Sequence, residues 1–378
     1  MRYETAPGLC IIRAFLFPGL GTVADNPAML KMTKVRALLS VLISFTGVIC
    51  AAGDVQQSGG VATVSVPVLS RSLFLDAMAG HGVMAVVGER GQILIAKTGG
   101  PWRLVTAPVD ATLTSVYFHD DMLGWVAGHD AVILKTTDGG RHWRQVYRDP
   151  DRDSPILDLW FADKDYGIAI GAYGLYLVTT NGGETWTKDE LHIVNRDILE
   201  TAQGEAQSTA TEGDALEPYD LHLNAIAGSE SGKLYIVAEA GHVYRSEDLG
   251  RTWRELPSPY NGSLFGVLPL GPESLLAFGL RGHLYRSDDN GLSWSRIETQ
   301  TGETLTSALR LHDGSIILTG MGGVILTSND QGRTFAAREL RYKHGYAAVI
   351  ESGNGDLIIV GDHGIENWNR KDIGLAHD

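Results

Sequence analysis

Five side chains in this sequence share one local setting, and an acid beside a hydroxyl is a candidate for chemistry. Asp138, Asp248, Asp289 and Asp330 each follow a serine or threonine by two residues, precede a glycine by two and precede an aromatic ring by five; Asn181 holds the same place. The stretches are TTDGGRHW, TTNGGETW, SEDLGRTW, SDDNGLSW and SNDQGRTF, which end at Trp143, Trp186, Trp253, Trp294 and Phe335. Such an acid could be a general acid, a metal ligand or the corner of a turn. Recurrence favours the corner. A catalytic site needs one constellation, and equivalent turns spread along a repeat cannot all converge on it. Asn181 points the same way, because a side-chain carbonyl accepts turn hydrogen bonds but is a poor proton donor or metal ligand. The glycine two residues on supplies the positive φ of a tight turn. The closing aromatic is expected to pack between neighbouring sheets.

The boxes sit inside a longer repeat. Two small residues three apart recur at Gly88/Gly91, Gly128/Ala131, Gly171/Gly174, Ala238/Gly241, Gly279/Gly282, Gly320/Gly323 and Gly361/Gly364. The step is about 41 residues, except for one of about 67 that holds an insertion. The copy over 155–191 reads as four short strands: PILDLWFA, YGIAIGA, GLYLVTT and ETWTKDEL, broken by DKD, Gly and NGG turns. Seven four-stranded units predict an all-β fold, a single seven-bladed propeller with antiparallel blades. The seventh copy lacks a box after Gly364, and VATVSVPVL at 61–69 has no blade of its own. The expectation is that this N-terminal strand completes the last blade and removes its open edge. The first copy has only KTGGPW, without the acid.

The propeller should occupy residues 53–370, with a tail at 371–378. Ahead of it, MTKVRALLSVLISFTGVICAA at 32–52 has a basic start, a 13-residue apolar run and small residues near its end. That is the layout of a secretory signal peptide, and residues 1–31 read as an upstream extension outside the fold. Export to the periplasm, or to the thylakoid lumen in a photosynthetic host, is therefore expected. Cys10 and Cys50 both fall in or before this leader, so the exported chain would have no disulfide, thiolate metal site or cysteine nucleophile. Net charge is −14, and no basic stripe suits a nucleic acid. The twelve histidines show neither H-x-E-x-H nor H-E-x-x-H spacing. No metal and no cofactor are expected.

The string GWVAGHDAVILKTTDGGRHW at 124–143, repeated in pattern by YGIAIGAYGLYLVTTNGGETW at 166–186, resembles the photosystem II stability/assembly factor family of Asp-box, or BNR-repeat, propellers. The resemblance covers about 60–370. It implies an exported, non-enzymatic protein that binds a subunit of a membrane complex, or another envelope protein, as an assembly factor; a monomer is expected. The alternative is a glycoside hydrolase of sialidase or xyloglucanase type, which also uses Asp-box propellers. That reading needs an arginine triad and a carboxylate pair, and no F/Y-R-I-P-like motif is present. In a propeller the boxes share one face. The small-x-x-small turns share the other, which would gather Arg90, His129, Asp130, Tyr173, Arg281 and His363 as a partner-binding surface. The insertion, about 189–220, is expected on that second face, with a short helix in RDILETAQGEAQS.

Overall fold

A computed structural model describes residues 62–63, 72–150, 154–194, 221–338 and 343–375. The leader, the upstream extension, most of the insertion with its expected helix, and residues 376–378 lie outside these residues.

The chain forms seven antiparallel sheets arranged in a ring. The innermost strands are Phe74–Gly80, Leu113–Phe118, Ile156–Phe161, Leu223–Gly228, Leu264–Pro269, Leu305–Arg310 and Tyr346–Glu351. Each packs against its neighbours on both sides, and the seventh packs against the first. The core is correspondingly divided. Seven apolar clusters each lie between two adjacent blades, such as Val83, Ala85 and Ile95 of the first against Phe118, Val126 and Trp143 of the second. Each sheet is flanked on both faces, so its second strand (VMAVV, GWVAG and GIAIG in the first three blades) is buried throughout and reads as an unbroken apolar run.

The small-x-x-small motif has two physical causes. At its first position the second strand runs against the start of the innermost strand. A Cβ at Gly128 would stand 2.1 Å from the Thr112 carbonyl oxygen. At its second position the backbone is left-handed, as at Gly241 with φ +80°. Ala131 adopts the same region with φ +47° and carries the steric cost.

Closure of the ring differs from the sequence expectation. Ala62–Thr63, the described part of 61–69, pairs with Arg103 and Leu104 on the outer strand of the first blade, not with the last blade. The last blade has three strands among the described residues. The ends are joined by sheet faces instead of a shared strand: Phe74, Met84 and Leu94 pack against Ile350, Ile358 and Val360. The chain beyond 370 also belongs to the packed body. Arg370–Ile373 forms a single 3-10 turn, started by the Asn369 side chain accepting from the Lys371 N–H. It delivers Ile373 and Leu375 into the cluster between the sixth and seventh blades. In the other blades a box aromatic fills that position, so the C-terminal turn replaces the missing box.

Candidate functional site

The five boxes share one hydrogen-bond pattern. The hydroxyl of Ser246 donates to Asp248 Oδ1 at 2.8 Å and accepts from the Gly250 N–H at 2.8 Å. Asp248 Oδ1 also accepts from the Thr252 N–H at 2.9 Å, and Oδ2 from the Thr252 hydroxyl at 2.7 Å. Asp289 and Asp330 bond in the same way to Ser293 and Thr334. In Asp138 the imidazole of His142 takes the hydroxyl's place. Asn181 accepts from the Thr185 N–H through Oδ1 and donates through Nδ2 to the Thr185 hydroxyl at 2.9 Å. Partial burial raises the pKa of Asp138 and Asp330, but the bonds from neighbouring donors outweigh it and hold both at about 2.

The glycine of each box abuts the preceding blade. At Gly250, φ is +84° and an added Cβ would stand 2.4 Å from Ile168 Cδ1. The closing rings of Trp143, Trp186, Trp253 and Phe335 are buried between blades, while Trp294 is half-buried. The Trp253 indole donates to the Tyr176 hydroxyl at 3.2 Å and the Gly250 carbonyl at 3.1 Å. A second staple crosses the same face. The third residue of the third strand reaches the next blade's box: Lys135 pairs with Glu184 at 2.7 Å, Arg245 donates to the Asn290 carbonyl at 2.9 Å, and Arg286 donates to the Gln331 carbonyl.

The opposite face carries the small-x-x-small turns, because each turn lies at the other end of the third strand from its box. Arg90, Asp130, Tyr173 and Arg281 occupy equivalent left-handed positions, with φ between +54° and +58°. Arg90, Tyr173, Arg281 and His363 are exposed. Asp130 pairs with Arg148 at 2.6 Å, and His129 is half-buried beside it. Tyr173 stands edge-on over the buried His222, ring centres 4.7 Å apart. His363 stacks on His344 at 3.6 Å. The structure therefore places these six residues on one face but spreads them around the rim, blade by blade. The insertion does not begin on this face. Its first leg runs along the fourth blade beside the box: the Trp253 N–H donates to the His192 carbonyl, and the Val194 N–H to the Trp253 carbonyl. The physical reason is apolar, since Leu191 and Ile193 pack into the cluster between the third and fourth blades.

The ring encloses a central cavity of about 270 Å³. Its wall was not legible as a site in the sequence. Every innermost strand carries a β-bulge at its second residue, and the bulged residues Leu75, Thr114, Leu157, Asn224, Phe265, Thr306 and Ala347 all line the cavity. A bulge re-aims its side chain out of the alternating pattern, here towards the axis. The polar ones tie adjacent blades together. Asn224 donates to the Leu264 carbonyl at 2.8 Å and Thr306 to that of Tyr346 at 2.6 Å. Two carboxylates, Asp76 and Asp158, also line the cavity, one residue past the bulge in the first and third blades. Asp76 Oδ2 accepts from the Val116 N–H at 2.8 Å, and Asp158 Oδ2 from the Ile226 N–H at 2.9 Å. Each thus reaches the backbone of the following blade. The available sequence signal was an acid in the same place of two apolar strands, FLDAM and ILDLW. No arginine, histidine or tyrosine lines the cavity among the described residues.

Comparison with known proteins gives the kinship. A family model described as Photosynthesis system II assembly factor YCF48 matches residues 94–191. The photosystem II assembly lipoprotein Ycf48 of Synechococcus sp. (strain CC9902) is 26% identical over 213 residues, which is 53% of this chain and 56% of that protein. Over these residues the chain is similar to photosystem II assembly factors of the YCF48 type. The chain spans about half the length of the curated relative it matches. Two solved YCF48-type structures share the fold of this ring. One, described as YCF48 bound to D1 peptide, has a TM-score of 0.60 at 19% identity, covering 79% of this chain and 94% of that one. The other, YCF48 from Cyanidioschyzon merolae, has a TM-score of 0.61 at 16% identity, covering 80% and 97%.

Proposed function

We propose that this protein is an exported, non-enzymatic propeller that binds a subunit of a membrane complex and acts as an assembly or stability factor, as photosystem II assembly factors do. The observation that carries the reading is the YCF48-type match across 94–191 on a ring whose relative is described with a D1 peptide bound. The turn face is the proposed docking surface, with Arg90, His129, Asp130, Tyr173, Arg281 and His363 on it. Its mixture of exposed arginine, tyrosine and histidine suits a protein partner, where aromatic and arginine side chains supply much of the binding energy. The box acids on the opposite face are proposed as corners: their oxygens are engaged by the turn's own donors, leaving no free carboxylate aimed at a ligand.

The test is binding of the propeller to a reaction-centre D1 peptide, and cross-linked recovery of partners from the host envelope. A variant combining Arg90→Ala, Tyr173→Ala and Arg281→Ala should lose affinity at least tenfold, since each such anchor contributes roughly 1–2 kcal/mol, with unfolding unchanged. Wild-type affinity in the triple variant would reject the turn face; no peptide or protein partner at all would reject the assembly role.

A second reading is favoured by one feature, the pair of acids in the central cavity. A glycoside hydrolase needs a free acid and a free base or nucleophile. Here each carboxylate accepts two backbone N–H bonds. Turnover of sialosides or β-glucans, lost in Asp76→Asn, would restore this reading.

A further inference from the structure

We propose that Asp76, Ser115 and Asp158 form one proton-binding unit at the centre of the ring, holding the first four blades more tightly when protonated than when fully ionised. The unit runs across three blade junctions. Asp76 of the first blade accepts from the Val116 N–H of the second. Ser115, next to Val116, donates to Asp158 Oδ1 of the third blade at 3.2 Å. Asp158 Oδ2 accepts from the Ile226 N–H of the fourth. These three residues occupy the same position of the innermost strand in consecutive blades, one past the bulge. The corresponding positions of the other blades are Ala225, Gly266, Ser307 and Ala348, so the carboxylates are confined to one side of the ring.

Both acids face one small cavity whose other walls mix apolar side chains, among them Leu75, Leu157, Phe265 and Phe278, with the polar Thr114, Asn224 and Thr306. Two negative charges facing one cavity repel, and among the described residues neither pairs with a cation. Asp76 and Asp158 are the cavity's only titratable groups among the described residues. On the strands packed against theirs, the remaining titratable groups are turned elsewhere. Tyr117 donates to the Phe161 carbonyl, Tyr346 to Glu366, and Glu351 pairs with His312 and Arg370 at the strand end. Asp130 pairs with Arg148 on the turn face, and His129, its neighbour there, lines no part of the cavity. Burial, with the charge of Asp158 adding to it, pushes Asp76 up to about 8; burial pushes Asp158 up to about 6, against the bonds it accepts.

The sign of the effect follows. Groups with folded pKa values above their unfolded ones keep more protons in the folded state, so stability falls as pH rises from about 4 through 8. Each proton released makes the unfolding constant rise up to about tenfold per pH unit over its range. This is opposite in sense to the usual carboxylate, and it makes the ring tightest in a mildly acidic compartment.

The test is urea unfolding of the full chain from pH 5 to 9, beside Asp76→Asn, Asp158→Asn and Ser115→Ala. Asp76→Asn leaves one N–H donor without an acceptor at every pH, a constant offset, so the slope and not the level is the readout. The wild type should lose stability steadily above pH 5, and each asparagine variant should lose its own part of that slope. Ser115→Ala should move the lower step to higher pH, because the ionised Asp158 loses a donor. Infrared spectra of the wild type at pH 7, above the Asp158 range and below that of Asp76, should show a protonated-carboxyl band that Asp76→Asn largely removes. A wild-type slope retained in Asp76→Asn, or no such wild-type band at pH 7, overturns the proposal. The infrared result stands even where a variant does not fold.

Discussion

The box acid can be tested by giving Asp248 the side chain that Asn181 already has. Asp248→Ala removes the acceptor of three bonds: the Thr252 N–H, the Thr252 hydroxyl and the Ser246 hydroxyl. At roughly 0.5–1.5 kcal/mol each, and towards the lower end because the corner is half in water, the loss is about 2 kcal/mol. Asp248→Asn keeps Oδ1 for the Thr252 N–H and the Ser246 hydroxyl. Its amide can donate to the Thr252 hydroxyl, which only has to rotate, as Asn181 Nδ2 does to Thr185. The expected cost is under about 0.5 kcal/mol. Urea unfolding followed by tryptophan fluorescence resolves such a difference, since the total stability of a domain is only about 5–15 kcal/mol. If asparagine costs as much as alanine, the charge itself is required and the corner reading fails. If alanine costs nothing, the bonds drawn here contribute nothing to stability.

Other outcomes follow from the same geometry. Trp253→Ala should cost about 4 kcal/mol, because the ring is fully buried between two blades; Trp294→Ala should cost less than half as much by the same assay, its ring being half-buried. Gly250→Ala should cost more than about 2 kcal/mol, combining a left-handed backbone with a clash on Ile168. The folded pKa values of Asp138 and Asp330 lie below the ordinary carboxylate value, so their contribution is present above about pH 4 and lost as pH falls towards 2. Acid titration of Asp138→Asn and Asp330→Asn should show a weaker loss than wild type in that window. Truncation after residue 369 should destabilise the ring by several kcal/mol in urea unfolding, because it exposes the site now filled by Ile373 and Leu375.

The blades were legible in the sequence because their signals are local and repeated. The serine or threonine, the acid and the glycine of each box meet within eight residues, so their spacing alone specifies the turn. The small-x-x-small pair was legible as a turn, although the reason for its first residue, a carbonyl pressed against it, belongs to another strand. The central acids were harder to read. A single aspartate in FLDAM or ILDLW looks like a solvent-facing residue of an alternating strand, and only the bulge turns it towards the axis. The closure was misread for a related reason. An unpaired strand and an incomplete blade suggest each other, but edge pairing is weakly specified by sequence.

By itself, then, the sequence determined how many blades there are, where their corners fall and which residues stand on the turn face. Repetition within about 41 residues encodes all of that through short-range hydrogen bonds and backbone preferences. The tertiary structure alone decided how the ring closes, what fills the last blade's missing box and which acids meet at the axis. Those outcomes depend on burial and on bonds between residues about 40 or more apart, such as Asp76 with Val116 and Asp158 with Ile226. No local pattern carries them, because the partner of each group is set by which blade comes to lie beside it.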